Sequence, residues 1–224
     1  MSYTTHQSFI EALRDDPVLF VEEILGQTVW SRQREILEAV RDHKYVSVAA
    51  GHNTGKTFTT ACICWWYLLT HERAIVLTTA ATHQQVKDVL WREIRRLYSE
   101  AVWPIGGKLM PKSPRFQLGK RLIKGFTFDK PDSVQGHHSP NVLVVFDEAQ
   151  AIDQVRAWEA FSSMLSSQGA KHIAVGNPLY AWGPFAQTHE DPKWHSMNIS
   201  CLEHPNVHGK RTVMRLSKRC VRAR

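Results

Sequence analysis

The residues most able to do chemistry in this chain fall into four short stretches. "VAAGHNTGKT" brings Lys56 and Thr57 directly behind Gly55; "VLVVFDEAQ" sets Asp147 and Glu148 side by side; "AVGNP" carries Gly176 and Asn177; "WSRQREIL" carries Gln33. In the first, Gly51, His52, Asn53, Thr54 and Gly55 form a loop whose successive N–H groups can cradle a phosphate. Lys56 can reach the β and γ phosphates of a nucleotide, and the Thr57 hydroxyl can hold Mg2+. The full phosphate-loop pattern asks for glycine where this chain has Ala50. That costs little, because the cradle lies nearer Gly55.

A bare Gly-Lys-Thr triplet is a weak signal by itself, so its setting matters. "YVSVAA" (45 to 50) is a β-branched run that ends at the loop, and an apolar helix is predicted from Lys56 to Leu69, which gives the required strand, loop and helix. "VLVVF" (142 to 146) is a continuous apolar strand releasing two carboxylates at its C-terminal end. There Asp147 can order the water shell of a metal and Glu148 can polarise an attacking water. Two acids after an apolar strand also describe a plain solvated turn; with the phosphate loop upstream, the hydrolytic reading is the better one. Asn177 can contact a γ phosphate or the attacking water, or simply make an Asn-Pro turn. Gln33 could pair with an adenine edge through its amide, but judged from its residues alone it reads as a surface glutamine near a helix start.

The elements that must hold these groups alternate between helix and strand. Asp16, Pro17 and Gly26 bracket a helix from about 17 to 25, and another is expected from Ser31 to Val40. "AIVLTT" (74 to 79) is a buried strand; Thr82 and Gln85 at capping-box spacing open an amphipathic helix with Val86, Val89, Leu90, Ile94 and Leu97 on one face. Residues 101 to 128 carry six basic residues and no acid and read as an irregular hairpin region. Asp153 can cap a helix over about 154 to 166, and "HIAVG" (172 to 176) and "HSMNIS" (195 to 200) are further strands. Apolar strands alternating with helices imply a mainly parallel sheet covered on both faces.

Composition sets the outer limits. At 224 residues, with 43% hydrophobic and 22% charged, one main domain is expected. The longest apolar run, Ala61 to Leu69, is about half of what a bilayer span needs, and the N-terminus lacks the pattern of a signal peptide, so a soluble protein is expected. Cys62, Cys64, Cys201 and Cys220 lack metal or disulfide-scaffold spacing and read as buried reduced thiols, and His137 and His138 have no partner ligands at metal-site spacing. The net charge of +7 resides in the tail: seven basic residues and no acid follow Glu203, and the rest balances at 21 against 21.

Taken together and in this order, these stretches, with "VLTTAATHQQVKDVLWREIRRLY", "DSVQGHHSPNVLVVFDEAQAI", "HIAVGNPLYAWGPF" and "WHSMNISCLEHPNV", resemble the ATPase domain of the large terminase subunit of tailed bacteriophages. The resemblance covers most of the chain. It implies a RecA-like (ASCE) P-loop NTPase, in which an extra strand separates the Walker A and Walker B strands. It also implies an ATP- and Mg2+-dependent motor that drives double-stranded DNA into a procapsid. On this basis Gln33 becomes the adenine contact, Gly176 and Asn177 the coupling motif, Lys56 and Glu148 the catalytic pair, and Thr57 and Asp147 the metal ligands. The implied partners are DNA, a portal protein, a small terminase subunit and further copies of the chain in a ring, and the implied setting is the host cytoplasm at the procapsid portal.

The expected organisation is a helical segment (1 to 43), an ATPase core (44 to 204) and a basic tail (205 to 224). Two departures from the family follow. The loop offers only His52 where relatives often carry a basic residue, so an arginine is expected from elsewhere or from a neighbouring subunit. No carboxylate cluster follows "HPNV", so no RNase H-like nuclease is expected, and the tail reads as a truncation or a shifted frame. DNA contact would fall to Arg92, Arg95, Arg96, the segment from Lys108 to Lys124 and the tail, or these are a solvated helix face and a disordered end. The alternatives are an inactive prophage-derived fragment that binds nucleotide or DNA without turnover, and a superfamily 2-like translocase, which would need a second lobe.

Overall fold

The computed structural model describes residues 3–80, 89–127, 139–152 and 155–207. Three helices, α1 (Tyr3–Asp15), α2 (Pro17–Glu23) and α3 (Ser31–Asp42), lead into strand β1 (Tyr45–Ala50). Asp16 caps α2 by accepting from the N–H groups of Val18 and Leu19, with Pro17 in the first turn. Helix α1 goes beyond the sequence expectation, whereas α2 and α3 match it; α2 ends two residues early, with Gly26 beyond it at φ 66°.

Helix α4 (Lys56–Thr70) follows the loop, then β2 (Ile75–Ala80) and α5 (Trp91–Glu100). The Thr82 and Gln85 capping box lies outside the described residues, but Leu90, Ile94 and Leu97 are buried as their spacing requires. The 101 to 128 region forms β3 (Lys108–Leu109), β4 (Arg115–Leu118) and β5 (Arg121–Thr127). The first two are antiparallel to their neighbours, and β5 then runs parallel to β2. The remaining elements are β6 (Val142–Asp147), α6 (Val155–Ser162), β7 (Lys171–Gly176), the single turn α7 (Pro184–Gln187) and β8 (His195–Ile199), with 3-10 turns over Ala149–Ala151, Ser163–Ser166 and Cys201–Glu203. The proposed Asp153 cap and the pair His137 and His138 lie outside the described residues.

One eight-stranded sheet has the order β3-β4-β5-β2-β6-β7-β1-β8, parallel from β5 to β8. The strand carrying Lys56 on its following loop (β1) and the strand ending in Asp147 (β6) are separated by β7, which ends in Gly176. This is the RecA-like arrangement that the resemblance implied.

Helix α4 is apolar on nearly every side because it is buried on nearly every side: Ala61 to Leu68 are each at most 1% exposed. Its polar tips are satisfied by distant backbone: Trp65 Nε1 donates to Ile94 O (3.1 Å), Trp66 Nε1 to Leu13 O (3.0 Å) and Tyr67 OH to Gly169 O (2.5 Å). The N-terminal helices therefore share a core with the strands. Cys62 and Cys64 are buried free thiols, as expected, but Cys201 is exposed, because its 3-10 turn lies at the sheet edge after β8. Among the described residues, no helix is long and apolar enough to cross a membrane.

Candidate nucleotide site

Strand register creates the site. Asp147, Val175 and Val48 lie in one row across β6, β7 and β1, and Ala49 faces Gly176 in the next. The chain therefore leaves all three strands at the same edge, releasing Glu148, Asn177 and the 51–55 loop side by side. Ligands of open α/β sheets bind at this C-terminal edge.

The loop is shaped by close approaches. Gly55 has φ 80°, a left-handed conformation natural to glycine, and a Cβ there would lie 2.3 Å from Nε2 of Gln33. Asn53, at φ 59°, is the other left-handed residue of the loop. Thr54 is buried and its hydroxyl donates to Gly51 O (3.0 Å), while the backbone of Cys201 packs so closely under Gly51 that a Cβ would sit 3.0 Å from its nitrogen. His52 and Asn53 are exposed, and Thr57 is half-buried in the first turn of α4.

Lys56 is buried, and its ammonium donates to Asn177 Oδ1 at 2.7 Å and to Gly51 O at 3.5 Å. Asn177 Nδ2 lies 3.5 Å from Nε2 of His52. Asn177 is thus drawn into the site, and an ordinary Asn-Pro turn is not a sufficient description of it.

The two acids differ sharply. Asp147 is 1% exposed, and burial, reinforced by the charge of Glu148, raises its carboxyl to about 7 against the opposing pull of Lys56 and a hydrogen bond from the Glu148 N–H. Its Oδ1 is buried with no hydrogen-bond partner. A buried carboxyl oxygen left without a partner is costly, and a divalent cation with its water shell would supply the missing partner. The unpartnered Asp147 oxygen fits a divalent cation such as Mg2+ on this observation. Glu148 is half-exposed, and its backbone is left-handed at φ 52°, ψ 48°, strain that a non-glycine residue tolerates where the surroundings fix it. The solvated-turn reading fails for Asp147, which no solvent reaches.

Gln33 corrects the expectation drawn from its residues alone. It is buried, not a surface residue: its Oε1 accepts from the Trp30 N–H (3.2 Å), closing the N-terminus of α3, and its Nε2 lies against Gly55. Arg32 steadies this corner from outside through Glu35 (2.6 Å) and Glu203 (2.5 Å), which tie α3 to the turn carrying Cys201. Sequence reasoning missed Arg32, Cys201 and Glu203, because Arg32 and Glu203 meet across 171 residues of chain and Cys201 meets Gly51 from a similarly distant segment, which no local spacing reports. It also passed over Gln150, although it lies in "DEAQ".

The DNA-contact candidates divide. Arg95 donates to Met110 O and Ser113 O (2.9 Å each), and Arg96 is paired with Glu93 and Glu100, so both are committed within the chain. Arg92, Lys108, Lys112 and Lys120 are exposed.

Comparison with known proteins places this geometry. The family described as "AAA domain" matches residues 33–179, from the buried glutamine to just beyond Asn177 and about two thirds of the chain. The chain belongs to the AAA domain family. A probable terminase large subunit of Enterobacteria phage P7 is 24% identical over 193 residues, covering 82% of this chain. The chain spans 39% of that relative's length. The ATPase domain of the large terminase of Thermus phage P74-26 superposes with a TM-score of 0.68 at 19% identity, over 86% of this chain and 87% of that one. The large terminase of another thermophilic bacteriophage, in complex with ADP, gives 0.54 at 16% identity, over 71% and 40%. The fold of this AAA-domain chain is that of phage large terminase ATPase domains.

Proposed function

We propose that this chain is the ATP-hydrolysing module of a viral DNA-packaging motor. The observation that carries the reading is the convergence, at one sheet edge, of the buried Lys56 ammonium, the unpartnered Asp147 oxygen, the exposed side of Glu148 and the Asn177 amide. Residues Gly51 to Gly55 and Lys56 bind the phosphates of ATP, and Gln33, already placed behind Gly55, reads the adenine. Thr57 and Asp147 would hold Mg2+, which would supply charge neutralisation at the phosphates. Glu148 accepts the proton of the attacking water, and Lys56 stabilises charge developing on the γ phosphate.

Asn177, bonded to Lys56, reports the state of the phosphate site to the segment that follows β7. The work done is the movement of double-stranded DNA into a procapsid, at the portal protein and with a small terminase subunit, in the host cytoplasm. The exposed basic residues of α5 and the β3 to β4 region face the DNA, and the copies act as a ring in which a neighbour supplies the catalytic arginine that the loop lacks. The large-terminase relatives support the packaging-motor assignment.

The test is ATP turnover by the purified chain with and without double-stranded DNA, beside Lys56→Ala and Glu148→Gln. Turnover stimulated by DNA and lost in both variants is expected. An unaltered chain no faster than Glu148→Gln under either condition overturns the reading.

A further inference from the structure

Gln150 stands in the 3-10 turn behind Glu148, and a single side-chain amide is used at both ends. Its Nε2 donates to Oε2 of Glu148 (2.8 Å), and its Oε1 accepts from the backbone N–H of Asn177 (3.0 Å). Together with the bond from Lys56 to Asn177 Oδ1 (2.7 Å), this makes a continuous chain of hydrogen bonds: Lys56, Asn177, Gln150, Glu148. We propose that Gln150 is a positioning residue that ties the Glu148 carboxylate to the Asn177 loop, so that the base is aimed by the same contact that senses the lysine. The inference rests on the reading of Glu148 as the base.

Two features argue that the link is built in. Gly176 does not have the positive φ that would demand glycine for conformational reasons; a Cβ there would lie 2.0 Å from Gln150 Oε1, the movable end of a side chain, and 3.2 Å from the Ala149 nitrogen, so the amide occupies its present place only because residue 176 has no side chain. The glycine of the Gly-Asn pair is therefore the seat of the Gln150 amide. The other feature is the left-handed backbone of Glu148, which fixes where its side chain departs but leaves its outer torsions free. A hydrogen bond to one carboxylate oxygen removes that freedom and leaves the other oxygen for water.

The consequence is coupling. A γ phosphate on Lys56 competes with Asn177 Oδ1 for the donors of the ammonium. Any shift of Asn177 moves the N–H that holds Gln150, and through it the carboxylate. Misplacing a catalytic group by about 1 Å can cost on the order of 100-fold in rate, so a small shift has a large reading.

Three variants test this. Gln150→Met keeps the length and removes both hydrogen bonds. Gln150→Glu keeps an acceptor for the Asn177 N–H and sets a second carboxylate against Glu148. Gly176→Ala expels the amide without altering it. Gln150→Met is expected to lower kcat by roughly 10- to 100-fold with KM for ATP within about threefold, the pattern of a lost transition-state interaction. Gln150→Glu should be at least as slow.

Gly176→Ala should match Gln150→Met, and combining the two should cost no more than about threefold beyond either alone, because both break one link. Without turnover, hydrogen exchange of the Asn177 amide should quicken by about tenfold in Gln150→Met and Gly176→Ala but not in Gln150→Glu. Thermal unfolding midpoints check that each variant is folded; should Gly176→Ala not fold, the two Gln150 variants decide alone.

Gln150→Met at full rate with a protected Asn177 amide, while Glu148→Gln is inactive, overturns the inference and leaves the base assignment standing. Multiplying losses in the double variant also overturn it. Glu148→Gln at the unaltered rate removes the base assignment, and the inference with it.

Discussion

The two faces of the sheet are covered very differently. On one, α1 to α5 lie over a continuous apolar cluster that includes Trp65, Trp66, Trp91, Leu37 and Val145, with the indole N–H groups of Trp65 and Trp66 satisfied by backbone carbonyls and that of Trp91 by Thr78 Oγ1. On the other, the described residues form a smaller, more aromatic cluster around Phe146, Phe161 and Ile152, with Trp158 and Trp194 packed at its edge. That face encloses His172, whose buried Nε2 has no hydrogen-bond partner.

The nucleotide site lies at the seam. Lys56 begins the deepest helix of the thick face, whereas Ala149 and Ile152, in and just after the turn that follows the acids, belong to the thin one. On the proposed reading, a phosphate-binding loop anchored in a large core and an acidic turn set on a lighter one would let the base respond to what the loop holds. Elements that move in coupling are drawn from the less stable parts of a fold.

The contrast can be broken at several points. Glu148→Gln, on the exposed side of the turn, should cut ATP turnover by about 10²- to 10⁴-fold while nucleotide binding and the unfolding midpoint change little, measured by steady-state kinetics and fluorescence titration. Trp65→Ala should cost ~3–5 kcal/mol in denaturant unfolding through the cavity it leaves in the thick face. Ile152→Ala should cost less, ~2–3 kcal/mol, yet lower turnover of the folded protein, because it loosens the turn beneath Glu148. Equal losses of activity in these two folded variants would dissolve the distinction between the faces.

Titration sharpens the contrast further. The Asp147 carboxyl, raised to about 7 from an ordinary 3.8, binds a proton in the folded chain that the unfolded chain has released between those values. Stability therefore falls as pH climbs from about 4 to 7, and the full cost remains above 7. Asp147→Asn should abolish this slope and stabilise the metal-free chain at pH 8 by ~2–4 kcal/mol while destroying Mg2+-dependent turnover.

His172 runs the opposite way. Burial lowers it from 6.5 to about 3, so the folded chain stays neutral where the unfolded one is protonated; its contribution is intact above about pH 6.5 and drains away as pH falls toward 3. His172→Phe should flatten the acid side of the stability profile, by ~2 kcal/mol at pH 5, and leave turnover at pH 8 within about twofold.

Legibility followed range. The phosphate loop was readable because strand, loop and helix are consecutive, and each signals itself by period and punctuation. The acids after "VLVVF" were readable as a pair with two different expected roles, but the contrast between a buried Asp147 and a half-exposed Glu148 was not. Gln33 shows the same limit from the other side: its spacing describes a helix start, and only the packing of α3 against the loop turns a capping glutamine into a neighbour of Gly55. Residues 101 to 128 were expected only as an irregular hairpin region, yet their strands extend the sheet, because β5 finds the edge of β2 in parallel register.

By itself, then, the sequence determined most of the strands and helices of the core and where the glycine loop and the carboxylate pair lie along them, because apolar period and loop chemistry act between near neighbours in the chain. Tertiary structure alone decided that Cys201 closes under Gly51 and that Gln150 fills the space above Gly176. Period reports which side of an element is buried; it carries no information on which distant element buries it, and the site is made of those distant meetings.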